Sequence, residues 1–221
     1  MRGIDISNWQ AGLDFGKVLP NVGFVICKAT EGVSFVDSTC DGFVQQCRAA
    51  RKPWGFYHFA GAEAPEVEAS YFVEHCWNYF GEGLPVLDWE GDQSVDWVNR
   101  FVRQVHEMTQ VWPVVYGNPW RFQQGGVESN CGVWVAEYPD WYRPSLDREL
   151  PDPPNAPGLV CMWQFASDGQ VRGADGWELD VNVFYGDETN WNAYVLGERE
   201  VNQQSESVLE NGEYIVKVTK K

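Results

Sequence analysis

Short β-rich runs return along most of the chain, with helical or irregular stretches between them, and this alternation limits the possible folds more than any other feature. Runs such as FVICKAT and LPVLDWE stay apolar on both faces until their ends, which is typical of parallel strands covered by helices. The predicted strands are Gly3–Ser7, Phe24–Thr30, Trp54–Phe59, Pro85–Glu90, Trp112–Tyr116, Val133–Tyr138, Val160–Phe165 and Leu179–Phe184.

Three of the intervening segments carry apolar residues at helical spacing: Asp37–Ala50, Pro65–Phe80 and Ser94–Gln110. Eight strands with helical crossovers predict an α/β fold, a TIM-like barrel in a single domain. The Gly/Asp-rich connection ASDGQVRGADGWE indicates a long hairpin, so we expect the last strand to run antiparallel to its predecessor. The start of that strand, at Asp180, would then lie at the face where the other strands end.

The composition changes after Gly197, where a polar stretch without apolar period leads to NGEYIVKVTKK. We predict a catalytic barrel over residues 1–197 and a polar linker with a short tail, including one possible strand, over residues 198–221. That tail is too small to be an independent domain.

The formal net charge of -16 argues against partners that are themselves anionic. Such a field repels phosphate backbones and anionic membrane surfaces, so we expect no nucleic-acid partner. No apolar run is long enough to span a bilayer, so no membrane insertion is expected. The opening MRGIDISNWQ lacks the apolar segment of a secretory signal, and the six cysteines form no CxxC pair. We therefore expect buried free thiols in a chain made in a reducing cytoplasm. Separately, we expect the protein to be a monomer.

Four acidic residues stand at strand ends predicted to face one mouth of the barrel: Asp5, Asp88, Glu90 and Asp180. Asp88 and Glu90 alternate around Trp89, so strand periodicity predicts both on one side with Cα atoms roughly 6.6 Å apart. One carboxyl of such a pair should hold its proton to higher pH, and we expect crowding to keep it on Glu90. Paired carboxyls of this kind serve glycosidic cleavage, although a lone DxE also ends many strands as a structural ligand.

Several polar and aromatic residues near strand ends either line a groove or pack in the barrel: Tyr57, Tyr116, Trp134, Tyr138 and Gln164. Glu31 is expected to pair with Lys28 or to cap a helix rather than to act in catalysis. His58 is expected to be a hydrogen-bonded structural residue. The chain has no HExxH, P-loop or CxxC motif. We predict no metal site and no cofactor.

The segments DISNWQ, KATEG, GFYHF, LPVLDWE, VVYG, WVAEY, MWQF and LDVNVFYG occur in an order and spacing that resembles glycoside hydrolase family 25, the Chalaropsis-type lysozymes or N-acetylmuramidases. The resemblance covers about residues 2 to 186. It implies an eight-stranded barrel with five helices that cleaves the β-1,4 bond between N-acetylmuramic acid and N-acetylglucosamine in peptidoglycan. It also implies that Glu90 is the general acid, Asp88 its partner, and Asp5 and Asp180 the other acidic members. Gly117 and Trp89 depart from the family pattern without removing a catalytic group.

These observations lead us to expect an endo-acting muramidase whose partner is the glycan strand of bacterial peptidoglycan. The absence of a signal sequence would suit a phage endolysin held in the host cytoplasm until lysis, or a secreted bacterial enzyme without its signal. Three alternatives stay open from the sequence: a chitinase-like glycosidase, a non-catalytic wall-glycan-binding barrel, and a hydrolase that holds a divalent cation in the acidic ring.

Overall fold

The computed structural model describes residues 1–197, so the predicted linker and tail at 198–221 lie outside the described residues. Within this range the strands are β1 Arg2–Ile6, β2 Phe24–Glu31, β3 Phe35–Val36, β4 Trp54–Phe59, β5 Leu84–Asp88, β6 Val114–Gly117, β7 Gly132–Ala136, β8 Leu159–Gly169 and β9 Leu179–Phe184. The α-helices are α1 Phe15–Val18, α2 Cys40–Ala49, α3 Pro65–Cys76, α4 Val95–Thr109, α5 Pro119–Phe122 and α6 Glu188–Leu196.

Strand pairing closes the sheet into a barrel. The order runs β1-β9-β8-β7-β6-β5-β4-β2, and β1 pairs with β2 to complete the ring. The barrel pairings among β1, β2 and β4 to β8 are parallel, whereas β9 is antiparallel to both of its neighbours, β8 and β1. The predicted single-domain barrel with an antiparallel last strand is confirmed. The two-residue β3, which pairs antiparallel with the end of β2, was not predicted.

Five helices connect successive parallel strands and a sixth follows the barrel. The helix α4 begins as its sequence predicts, because the Ser94 hydroxyl accepts a hydrogen bond from Trp97 N at 3.2 Å. The sixth helix, α6, was not predicted. Its Trp191 packs against Phe24 and Phe184, with ring centroids 5.0 and 5.2 Å apart, and covers the barrel end where the parallel strands begin. None of the helices within residues 1–197 is long and apolar enough to cross a membrane.

The core has two layers because the strands are apolar on both faces. Phe24, Ile26, Leu84 and Val86, at alternate positions of β2 and β5, pack together with α6. The intervening positions, such as Val25 and Leu87, pack in a larger cluster with the crossover helices. This two-sided burial explains why the runs show no polar alternation. It also leaves only the strand ends free for polar chemistry.

Several predicted boundaries are wrong by a few residues, and two of these errors bear on the site. The strand β5 ends at Asp88 rather than Glu90, and β7 ends at Ala136 rather than Tyr138. Both Glu90 and Tyr138 therefore lie on loops beyond the sheet, where strand periodicity does not place them. The strand β6 begins only at Val114, after a proline that has no N–H to give to the sheet.

The prediction of buried free thiols is confirmed for all six cysteines: Cys27, Cys40, Cys47, Cys76, Cys131 and Cys161. Burial raises the pKa of the Cys47 thiol to about 12, and of the Cys161 thiol to about 12 as well. A thiol held in its neutral form is a poor nucleophile, so these side chains act as small apolar groups.

Candidate active site

A pocket of about 260 Å³ opens where the parallel strands end. Its lining contains every predicted site residue: Asp5, Asp88, Glu90, Asp180, Tyr57, Tyr116, Trp134, Tyr138 and Gln164. Four further lining residues were not predicted as site residues: Ser7, Trp9, Lys28 and Phe59. The structure thus brings the predicted residues together, while their individual catalytic and binding roles stay predictions.

The topology explains how acids distant in sequence meet. Asp5 lies near the end of β1 and Asp88 is the last residue of β5, so parallel pairing brings both to the same mouth. Because β9 is antiparallel, its beginning reaches that mouth, and Asp180 lies directly opposite Asp5 in the β1–β9 pairing. The fourth acid, Glu90, follows β5 and is exposed at the rim.

A chain of hydrogen bonds from the barrel wall ends on Asp5. The hydroxyls of Tyr116 and Tyr138 donate to Gln164 Oε1 at 2.8 and 2.5 Å. The Gln164 Nε2 in turn donates to Asp5 Oδ2 at 2.8 Å. Gln164 and Tyr116 are 3% and 8% exposed, so little of either side chain is open to solvent.

A second chain reaches the same oxygen from the other side. Trp134 Nε1 donates to Asn182 Oδ1 at 3.0 Å, and Asn182 Nδ2 donates to Asp5 Oδ2 at 2.7 Å. The sequence analysis did not single out Asn182. The available signal was its position two residues after Asp180 in a strand, which places both side chains on one face. Trp134 is only 2% exposed, and its indole N–H is engaged in this chain.

Burial is the strongest influence on Asp88. Its side chain is 7% exposed, and its Oδ1 has no hydrogen-bond partner. Burial and the nearby charges of Glu90 and Asp5 raise the pKa of Asp88 well above its ordinary value, whereas Lys28 lowers it by a smaller amount. Asp88 therefore keeps its proton to higher pH than an ordinary carboxyl group, and one of its oxygens is free for a ligand.

The neighbouring residues Asp5 and Asp180 differ in protonation state. Burial raises the pKa of both, and each is raised further by Glu90. The amides of Asn182 and Gln164 oppose this rise at Asp5, because they donate to its carboxylate. Asp5 is thus the member that carries the negative charge, and Asp180, whose pKa is raised to about 9, holds a proton at neutral pH.

Burial is the main cause of the raised pKa values in the site, and it acts on Asp5, Asp88 and Asp180. The sequence analysis considers crowding of charge and places a proton on Glu90, which stays a prediction. Asp88 is the buried member of the Asp88–Glu90 pair, whereas Glu90 is exposed to solvent.

One positively charged side chain, that of Lys28, lines the pocket. Lys28 Nζ pairs with Glu31 Oε2 at 2.6 Å, which confirms the predicted pairing of Glu31. The ammonium also lies 4.7 Å from the centroid of the Phe59 ring. Among residues 1–197, no three His, Cys, Asp or Glu side chains are arranged to hold a metal ion.

His58 is buried and hydrogen-bonded, as predicted, beside the site rather than in it. Thr30 Oγ1 and His58 Nδ1 are 2.8 Å apart, and His58 Nε2 lies 3.1 Å from Glu68 Oε2. Glu68 also accepts hydrogen bonds from the backbone N–H groups of Gly61 and Glu63, at 2.7 and 2.8 Å. Burial lowers the pKa of His58, so its ring is neutral. The carboxylate of Glu68 therefore holds the loop that follows β4.

Replacing Glu68 by alanine is expected to lower the free energy of unfolding by about 3–5 kcal/mol, because three donors lose a buried acceptor. Urea denaturation measures the change. Glu66→Ala is the matched control on the same helix turn: Glu66 pairs with Arg100 at an exposed site, so its loss should lower the free energy of unfolding far less than the loss of Glu68. Equal losses in the two variants would contradict the assigned role of Glu68.

Comparison with known proteins decides the family. The model of Glycosyl hydrolases family 25 matches residues 4–174. The chain belongs to glycosyl hydrolase family 25. The family 25 barrel is also similar to the crystal structure of the bacterial lysozyme from Streptomyces coelicolor, with a TM-score of 0.72 and 25% identity over 88% of this chain and 96% of that chain.

The sequences of two curated relatives agree with this family. The autolytic lysozyme of Clostridium acetobutylicum is 28% identical over 192 residues, which cover 83% of this chain and 56% of the relative. The N,O-diacetylmuramidase of Chalaropsis sp is 30% identical over 140 residues, covering 54% of this chain and 66% of the relative. The family 25 barrel thus spans little more than half the length of the first of these relatives.

Proposed function

We propose that this family 25 barrel hydrolyses the β-1,4 bond between N-acetylmuramic acid and N-acetylglucosamine in peptidoglycan, with Glu90 as the general acid. The observation that carries the proposal is the layered arrangement of the acids. Glu90 is exposed at the rim, while Asp88, Asp5 and Asp180 lie beneath it in the same pocket. A glycan strand can reach Glu90, whereas only a sugar ring seated in the pocket can approach the other three acids.

The proposed chemistry starts with a proton from Glu90. A glycan seated over the pocket excludes water from around Glu90. Glu90 then donates its proton to the glycosidic oxygen as the bond to the anomeric carbon breaks. Water later completes the hydrolysis and returns a proton to Glu90, so the acid is regenerated.

The buried acids stabilise the positive charge that develops on the sugar ring. Asp5 carries a negative charge that is held in place by two amide donors, so it needs no reorganisation during the reaction. The free Oδ1 of Asp88 is the group available to position the 2-acetamido substituent of the sugar. Both contributions come from buried carboxyl groups, where charge interactions are stronger than in water.

Substrate binding relies on stacking and hydrogen bonds, because the net charge of -16 offers no attraction to an anionic wall. Trp9 is 82% exposed at the pocket, and Tyr138 is 50% exposed on the loop after β7. Flat rings with polar edges suit the apolar faces of sugars. We assign these two residues to the groove walls.

Replacing Trp9 by alanine is expected to raise KM by about 3–10-fold with kcat unchanged, since an aromatic contact is worth about 0.5–1.5 kcal/mol. Steady-state hydrolysis of soluble peptidoglycan fragments measures both constants. Trp77→Ala is the control, because Trp77 is 54% exposed and outside the pocket. The same KM in both variants would remove Trp9 from the binding site.

Product analysis tests the proposed bond. Purified peptidoglycan is digested, the new reducing ends are reduced with borohydride, and the sugars are identified after acid hydrolysis. We expect the alcohol of muramic acid. The alcohol of glucosamine as the main product, or faster turnover of chitin oligomers than of peptidoglycan, would overturn the proposed specificity.

We further propose that the protein acts as a monomer without nucleic-acid partners and is made in a reducing compartment before it meets the wall. Six buried free thiols support the compartment, and the strong negative charge supports the absence of nucleic acid.

A further inference from the structure

The general acid proposed above lies on a loop whose position the sheet does not determine. The last strand residue is Asp88, and the last backbone hydrogen bond toward the next strand joins Trp89 N to Tyr116 O at 3.0 Å. Glu90 and Gly91 follow, and glycine is the residue that restricts the backbone least. Among the hydrogen bonds of residues 1–197, none involves the Glu90 side chain. Some other contact must fix the direction in which that side chain points.

Arg121 makes that contact. It lies in α5, the short helix after β6, and is only 7% exposed. Its two terminal nitrogens donate to two consecutive backbone carbonyls, Nη2 to Glu90 O and Nη1 to Gly91 O. A rigid planar fork that holds both carbonyls sets the orientation of the peptide between them, and with it the direction of the Glu90 side chain.

Aromatic rings hold the fork itself in place. The guanidinium carbon lies 5.4 Å from the centroid of the Trp89 ring and 4.7 Å from that of Trp120. Trp89 is fully buried, and its Nε1 donates to Gln93 O at 2.9 Å, which closes the loop on its other side. The tryptophan between the two acids, which departs from the family pattern, therefore serves as a support for Arg121.

Glycine at position 117 allows the close approach that this contact needs. A Cβ on Gly117 would lie 3.2 Å from Trp89 O and 3.5 Å from Arg121 Cδ. The end of β6 can therefore pass close to the end of β5. The second departure from the family pattern, Gly117, thus lies against the same contact as Trp89.

We propose that Arg121 is a positioning residue for catalysis, which holds the Glu90–Gly91 peptide so that Glu90 points into the groove. The inference rests on the proposed role of Glu90. Arg121 touches no substrate in this proposal, so its loss should affect the chemical step more than binding. A displacement of the acid by about 1 Å costs on the order of 10²-fold in rate.

The test compares Arg121→Met and Arg121→Lys with the wild type on soluble peptidoglycan fragments. For Arg121→Met we expect kcat to fall about 10–100-fold with KM changed less than about threefold. Lysine keeps the charge but has one nitrogen for two carbonyls, so Arg121→Lys should recover only part of the loss. A wild-type kcat in either variant would overturn the proposal, as would a rise in KM that accounts for the whole loss.

Arg48→Met is the matched control. Arg48 also stacks on aromatic rings, 5.2 Å from that of Trp54, and its Nη2 donates to a backbone carbonyl, that of Asn78, at 3.1 Å. It lies near the start of β4, at the opposite end of the barrel. We expect Arg48→Met to keep its kcat. If it loses as much kcat as Arg121→Met, general destabilisation explains both, and the proposal is wrong.

Chemical rescue addresses a variant that folds poorly. Arg121→Ala leaves a gap of guanidinium shape between Trp89 and Trp120, so millimolar guanidinium should raise its kcat without changing that of Arg48→Ala. Absence of rescue in a folded Arg121→Ala protein would count against the proposal. Failure of the proposed function is distinguishable, because then the wild type itself is inactive on peptidoglycan or Glu90→Gln is as active as the wild type.

Discussion

Replacing Glu90 by glutamine is expected to lower the rate of peptidoglycan hydrolysis by about 10²–10⁴-fold, the usual contribution of a general acid. Glutamine has nearly the same shape but cannot supply the proton that the departing sugar oxygen needs. Because Glu90 is exposed and its side chain makes no hydrogen bond within residues 1–197, the free energy of unfolding should change by about 0.5 kcal/mol or less. Turbidity loss of purified peptidoglycan and urea denaturation measure the two quantities.

Asp92→Asn is the control for this prediction. Asp92 is an exposed acid two residues further along the same loop and does not line the pocket. Its loss removes the same unit of charge from the same neighbourhood without touching the proposed acid. Similar activity losses in Asp92→Asn and Glu90→Gln would show that the effect comes from the local charge, and the assignment of Glu90 would fail.

Replacing Asp88 by asparagine is expected to lower kcat by about 10²–10³-fold while making the protein more stable at neutral pH. The sign of the stability change follows from the pKa shift. Burial raises the pKa of Asp88 in the folded state above its unfolded value near 3.8. The stability that this group contributes is therefore complete below about pH 4 and is lost as pH rises toward the folded pKa. Asparagine does not titrate and escapes that loss.

The measurement is the free energy of unfolding of the wild type and of Asp88→Asn from pH 4 to pH 7. The difference in favour of the variant should be largest at pH 7 and should shrink on acidification. The wild type keeps Asp5 and Asp180, whose raised pKa values act in the same direction, so both proteins should gain some stability toward lower pH. Parallel curves for the two proteins would mean that Asp88 ionises as it does in the unfolded chain.

A greater stability of Asp88→Asn at pH 7 would place this barrel among proteins that keep a destabilising group for its function. A buried carboxyl with a free oxygen adds no stability that asparagine would lack. The free oxygen at the end of β5 is available to a ligand that completes its hydrogen bonds.

The barrel was predictable because its strands are apolar on both faces and its helices carry a clear apolar period. Even the direction of β9 followed from the Gly/Asp-rich hairpin before Leu179. The helix α6 was missed because it is only nine residues long and buries only Trp191 and Val195, a pattern too short to stand out in the sequence. Its capping box at Asp187 was the local signal that could have located it.

Within the site, the sequence located the acids but not the reasons for their protonation. The ends of β1, β5 and β9 follow from topology, so Asp5, Asp88 and Asp180 were predictable as neighbours. The burial of each acid depends on how far its strand extends. The predicted strand was two residues too long at the end of β5, so Glu90 was expected in the sheet, whereas it lies at the rim. Arg121 carried no signal at all, because its partners are backbone carbonyls that no sequence pattern identifies.

The seam between β1 and β9, where the first and last strands of the barrel join, also passes through the pocket. Asp5 comes from one side of that seam, Asp180 from the other, and Asp88 with Glu90 from the middle of the chain. A gene divided between β5 and β9 would yield two pieces that each lack part of the acidic set. On the proposed function, such fragments are expected to hydrolyse peptidoglycan only after they reassemble and bring the four acids into one pocket.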